Sequence, residues 1–134
     1  PLDLGLRIEA DESVRTLIEV TERMDYRELT GTYQRQPRRS EATPKQMFQI
    51  VVLGFMTGII STRKMEEVCK NDIRFMYLLG GKKAPDHSRI SRFIQKHLQG
   101  RTAEGLFYQL VTLLEELGEI RFENLFVGQI HKQV

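Results

Sequence analysis

The stretch TPKQMFQIVVLGFMTG, residues 43–58, decides the fold. Thr43 can cap a helix. Pro44 suits the first helical position, where a backbone N–H would have no partner, and Gln46 can reach back to close a capping box. Met47, Ile50, Val51, Gly54, Phe55 and Gly58 follow at helical spacing, and the intervening Phe48, Val52, Leu53 and Met56 are apolar too. A helix apolar on nearly every side is expected at the buried centre of a bundle. Gly54 and Gly58 each weaken a helix by about 1 kcal/mol relative to Ala. Close approach of a neighbouring helix accounts for them, although Gly58 also lies near the helix end. The apolar run Ile50–Ile60 is well short of the ~20 residues a membrane span needs.

Upstream, residues 1–10 read as an irregular lead-in. Val14, Leu17, Ile18, Thr21 and Met24 have the spacing of an amphipathic helix starting near Glu12. Residues 25–33 predict a second short helix packing Tyr26, Leu29 and Tyr33. Residues 34–42, QRQPRRSEA, carry Pro37 and no periodicity, and read as a basic loop. Downstream, Ser61 can cap a helix with Met65, Val68 and Cys69 inward. Asn71-Asp72 interrupts it, and Ile73, Phe75, Met76, Leu78 and Leu79 supply another apolar segment of helical character. Gly80 to Pro85 form a loop. Asp86 caps the next helix, with Ile90, Phe93, Ile94 and His97 buried and Arg89, Arg92 and Lys96 as a basic stripe beside them. Gly100 stops it. Thr102 caps a longer helix with Leu106, Phe107, Leu110, Val111, Leu114 and Leu117 inward, ending at Gly118. Residues 121–127, RFENLFV, alternate partly and predict a short C-terminal strand. The expectation is therefore all-α: one bundle of about five to seven helices, with that strand as an appendage.

The length, 134 residues, fits one domain over 1–134 that needs neither disulfide nor metal to hold its core. Cys69 is the only cysteine, and PLDLGLRIEADE lacks the basic start and apolar run of a signal peptide. Both point to a reducing cytoplasm. The net charge of +2 conceals its distribution. Residues 61–101 hold ten Lys and Arg against four acids, whereas residues 1–33 and 102–134 are both acidic. A basic middle suggests a surface that faces a polyanion.

Little else carries chemistry. His87, His97 and His131 lack metal-ligand spacing, and no metal site is expected. Cys69 sits on an apolar stripe and reads as core. Glu66-Glu67 and Glu115-Glu116 are helix neighbours that point apart, so neither makes an acid–base pair. Gly80-Gly81-Lys82 lacks the remaining residues of a phosphate loop. Ser61 to Lys96 fit helix-turn-helix logic loosely, with a connection longer than the usual turn. That arrangement would present His87, Ser88, Arg89, Ser91 and Arg92 to base edges or phosphates.

Several short motifs occur together here: Gly54-Phe55-Met56 with Gly58, Ser61 to Glu66, Asn71 to Gly81, and Pro85-Asp86-His87 with Ile90-Ser91-Arg92-Phe93. In this order and spacing the chain resembles the N-terminal domain of bacterial insertion-sequence transposases of the DDE type, the InsH-like group, from about residue 12 to 127. The resemblance implies a helical domain that binds double-stranded DNA at transposon terminal inverted repeats. The 86–98 helix, including Lys96, would read the site, and Arg35, Arg38, Arg39, Arg63, Lys64, Lys82 and Lys83 would hold phosphates. In that family an RNase-H-like catalytic domain follows, and its first strand carries a metal-binding Asp after an apolar run. Here Leu125-Phe126-Val127 is followed by Gly128, with no Asp. The resemblance thus implies residues 121–134 as the remnant of a missing catalytic domain, a chain truncated as by a frameshift, and no DNA cleavage or cofactor. The alternative it leaves is an interaction module that pairs with itself or with a full-length transposase.

Overall fold

The computed structural model describes residues 12–133, with side chains described for 14–118. The lead-in expected over residues 1–10 lies outside the described residues. Among the described residues seven α-helices follow one another: α1 (Glu12–Glu22), α2 (Arg27–Gly31), α3 (Pro44–Met56), α4 (Thr62–Asn71), α5 (Ile73–Leu79), α6 (His87–Arg92) and α7 (Gly100–Gln133). A π-helical turn, Phe93–His97, continues α6. There is no strand among the described residues, and the fold is an all-α bundle.

The central helix forms as its sequence dictates. Gln46 N–H donates to Thr43 Oγ1 at 3.1 Å, and Thr43 N–H donates to Gln46 Oε1 at 2.9 Å. Two of the first-turn donors are thereby satisfied. The Gln46 amide also donates to the carbonyls of Leu78 and Leu79 at 3.1 and 3.2 Å, tying the start of α3 to the end of α5. From Met47 to Gly54 every residue of α3 is buried. Phe48, Ile50, Val51 and Leu53 are fully enclosed, and each such side chain contributes roughly 1.5–3 kcal/mol of burial. Gln49 is the polar member of this run. Its amide donates to Thr21 Oγ1 at 3.0 Å, so burial leaves it partnered.

The two glycines of α3 have separate explanations. A Cβ on Gly54 would lie 2.8 Å from Met65 Cε, so α4 crosses here at the distance that glycine permits. Gly58 has φ +82 beyond the end of α3, where it turns the chain. The downstream caps are side-chain caps, expected at Ser61 and Asp86 and newly seen at Asp72. Ser61 accepts from Lys64 N–H, Asp72 from Arg74 N–H, and Asp86 from Arg89 N–H. Helix α4 packs against both α5 and α6, and one continuous core runs from Val14 to Leu110.

Helix α7 departs from expectation in three ways. It begins at Gly100, with Gln99 accepting from Ala103 N–H, so Thr102 lies inside the first turn and is buried rather than capping. It does not stop at Gly118. It also continues through residues 121–127, where a strand was expected. Extending a helix that already exists costs far less than nucleating a new element, and one Gly subtracts only about 1 kcal/mol. Leu106 and Leu110 face the core, but Val111 is 52% exposed and Leu114 40%, so the inward face is narrower than the sequence suggests.

Candidate nucleic-acid interface

Three segments build a concave site. The chain leaves α2 at Thr32, and the basic loop leads from there to Ala42, just before α3. Helix α6 and its π-helical turn lie opposite. Between them is a cleft of about 540 Å³ whose lining includes Tyr33, Arg35, Glu41, Arg89, Arg92, Lys96 and His97, with Met47 and Phe93 also contributing. Four guanidinium or ammonium groups thus meet one carboxylate. Ile90 and Phe93 anchor α6 in the core, which turns Arg89, Arg92 and Lys96 toward the cleft.

Glu41 organises the loop wall. Arg89 Nη1 lies 2.6 Å from Glu41 Oε2, and Arg89 Nη2 donates to the Ala42 carbonyl at 3.4 Å. Arg38 Nε is 3.9 Å from the other carboxylate oxygen. The Arg89 hydrogen bond, aided by the charges of Arg89, Arg38 and Arg35, holds the Glu41 carboxyl below its ordinary value against partial desolvation. Arg89 is therefore already engaged. Arg35, Arg92 and Lys96 make no ion pair among the described residues.

At one side of the cleft the rings of Tyr33 and His97 stack face to face, 3.9 Å apart and 6° from parallel. Thr32 Oγ1 is 2.6 Å from the Leu29 carbonyl and 2.8 Å from His97 Nδ1. The carbonyl can only accept, so the hydroxyl proton goes to Leu29 and Nδ1 must carry the proton that Thr32 accepts. Desolvation, with Lys96 next to it in the chain, lowers the pKa of His97. The ring is thus neutral at pH 7, and Nε2 is its bare nitrogen. Burial pushes the Tyr33 hydroxyl up to about 12, so it remains a neutral phenol.

The expected DNA-contacting residues fall into three places. Arg35, Arg89, Arg92 and Lys96 line the cleft together. Arg38 and Arg39 lie on the same basic loop but outside the cleft lining, and Lys83 N–H joins that loop by donating to the Ser40 carbonyl at 3.0 Å. The Lys82–Lys83 loop is thereby held alongside them. Arg63, Lys64, His87 and Ser88 lie outside the cleft lining. Lys64 is 3.5 Å from Glu67, and His87 is committed to Glu66. The His87 N–H donates to Glu66 Oε1 at 2.7 Å, and its ring Nδ1 lies 3.1 Å from the same oxygen. That backbone bond, with Lys70 and the His87 ring, holds the Glu66 carboxyl down to about 2.

Sequence reading missed the Tyr33–His97 stack, the Thr32 hydrogen bond and the part played by Glu41. Only Glu41 left a signal: it is the one acid between residues 34 and 60. The connection from α4 to α6 contains the helix α5, so these segments are not joined by a tight turn. No group of three or more His, Cys, Asp or Glu is placed to hold a metal among the described residues, and none of these helices is long and apolar enough to cross a membrane.

Comparison with known proteins adds one finding. A family model described as a transposase domain (DUF772) matches residues 3–96, which includes α1 to α6 and every lining residue of the cleft except His97. No curated protein and no solved structure matches the chain.

Proposed function

We propose a DNA-holding role for this chain, which belongs to the transposase-domain family DUF772. Within that family we assign it to the InsH-like insertion-sequence group, as the part that binds transposon-end DNA and not the part that cuts it. The observation that carries the reading is the cleft. Arg35 from the loop and Arg92 and Lys96 from the α6 segment converge on one opening without a carboxylate partner. Cations left unpaired in a concavity are suited to phosphate oxygens, which supply most of the affinity of such complexes. Arg38, Arg39, Lys82 and Lys83 extend the positive surface along the adjoining loops. Arg63, Lys64, His87 and Ser88 play a smaller part in this reading, since two of them are held by Glu67 and Glu66.

Fluorescence anisotropy tests it. Labelled duplexes copied from the DNA ends that flank the coding region are expected to bind more tightly than scrambled duplexes of equal length. Equal and weak binding to both would remove the sequence-specific role.

A second reading is favoured by a different surface. Phe107, Tyr108, Val111 and Leu114 are exposed on α7, Tyr108 to 75%. We infer self-association, or pairing with a full-length transposase, as the role this face would serve. Light scattering on the purified chain discriminates, because a mass that stays monomeric at high concentration removes the self-association.

A further inference from the structure

The cleft is too small and too mixed in lining to be only a phosphate rail. Its volume of about 540 Å³ lies in the range of sites that enclose a small ligand, ~300–1,000 Å³. That is roughly a cube 8 Å on a side, less than the ~12 Å width of a DNA major groove, and the duplex as a whole is wider than its groove. A duplex therefore passes over it and does not enter. The lining also includes groups that a bare phosphate does not need. Glu41 is a carboxylate, which repels a dianion. The neutral His97 ring offers a hydrogen-bond acceptor at Nε2, because its proton sits on Nδ1, which donates to Thr32 Oγ1. The Tyr33–His97 pair, two rings stacked on each other, adds aromatic surface to the lining.

Cations, neutral acceptors and an aromatic surface together match a nucleotide. The cations take the phosphate, the acceptors take base N–H groups, and the aromatic pair takes the base. We infer that the cleft holds one unpaired nucleotide of a DNA strand, with its base against the Tyr33–His97 pair and its phosphate on Arg35, Arg92 and Lys96. The inference rests on the DNA-holding role proposed above, and identifies what the cleft does that a flat basic surface cannot. Every base has a π-face, so the preference is for unpaired structure over a particular sequence. A DNA end, frayed or nicked, supplies such a nucleotide.

Anisotropy with the full 134-residue chain tests it on three duplexes of one length. One is blunt, one carries a single unpaired nucleotide at a 3′ end, and one carries an abasic nucleotide there. The unpaired base is expected to tighten binding roughly five- to tenfold over the blunt duplex, the lower part of the range for stacking on an aromatic side chain, and the abasic nucleotide to lose that gain. Tyr33→Leu, which keeps the bulk and removes the ring, is expected to bring the ratio of unpaired to blunt affinity close to one. If that variant does not fold, 2-aminopurine as the unpaired base on the wild-type protein decides: its fluorescence is expected to fall on binding. A wild-type ratio of one, with salt-dependent duplex binding retained, overturns this inference and leaves the DNA-holding role intact. Failure to bind any DNA overturns both. Tighter binding of a ribonucleotide end overturns the assignment to DNA, and displacement by micromolar free mononucleotide overturns the assignment to a strand.

Discussion

Replacing Arg92 and Lys96 together by alanine tests whether the cleft grips phosphate. Both side chains are exposed, line the opening and have no ion-pair partner among the described residues. Their loss should therefore cost folding stability no more than about 0.5 kcal/mol. Each phosphate neutralised on B-DNA contributes about 0.9 to the slope of log affinity against log salt. With Arg35 these residues make three such contacts, so the cleft accounts for a slope of about 2.7. Between 50 and 200 mM salt that slope weakens binding about 40-fold, whereas the one contact left in the double variant weakens it about 3- to 4-fold.

The assay is anisotropy of a labelled duplex titrated at several salt concentrations, with Arg23→Ala as control. Arg23 is exposed at the end of α1 and is not part of the cleft lining. A double-variant slope equal to wild type would refute the assignment of phosphate contacts to the cleft. So would a decrease no larger than that of the control. Arg89 is left in place deliberately, because removing it would strand the Glu41 carboxylate 2.6 Å away and confound the result.

Three further outcomes follow from the packing and the charges. Glu66→Gln is expected to flatten the acid limb of stability: the folded carboxyl titrates at about 2 against an ordinary 4.5, so its contribution is present above about 4.5 and fades as pH falls toward 2. Urea unfolding at several pH values between those limits reads this directly, and parallel wild-type and variant curves would disprove it. Cys69, buried and with its thiol pushed up to about 12 chiefly by that burial, is expected to resist aromatic disulfide reagents at pH 8 until denaturant is added. Rapid labelling of the native chain would contradict the packing. Gly54→Leu should destabilise by roughly 1–3 kcal/mol through overpacking against Met65, whereas Gly54→Ala meets only the flexible end of that side chain and gains about as much in helix propensity as it loses, giving little net change in thermal midpoint.

Features settled within a few residues could be read in advance. A cap needs one side-chain oxygen and an N–H two or three positions later, so Thr43, Ser61 and Asp86 declare their helices locally. The apolar run of α3 likewise admitted only a buried helix. The error at the C-terminal end has an equally local cause. RFENLFV is short enough to fit period 2 or period 3.6, and Gly118 looks like a stop in isolation. A helix already running from Gly100 removes the nucleation cost, and that decides for continuation.

The cleft was legible only in halves. Arg89, Arg92 and Lys96 announced a basic stripe, and residues 34–42 a basic loop, but nothing in either segment says that they face each other. What joins them is long-range: Arg89 reaches Ala42 across 47 positions, and Thr32 reaches His97 across 65. Glu41 is the residue that fixes this pairing, since it holds Arg89, whereas Arg35, Arg92 and Lys96 line the cleft with no carboxylate at ion-pair distance among the described residues. Arg89 lies nearest the start of α6, where groove-reading logic puts the leading contact, yet it serves the loop. Arg92 and Lys96, one and two turns further on, line the cleft without an ion-pair partner among the described residues.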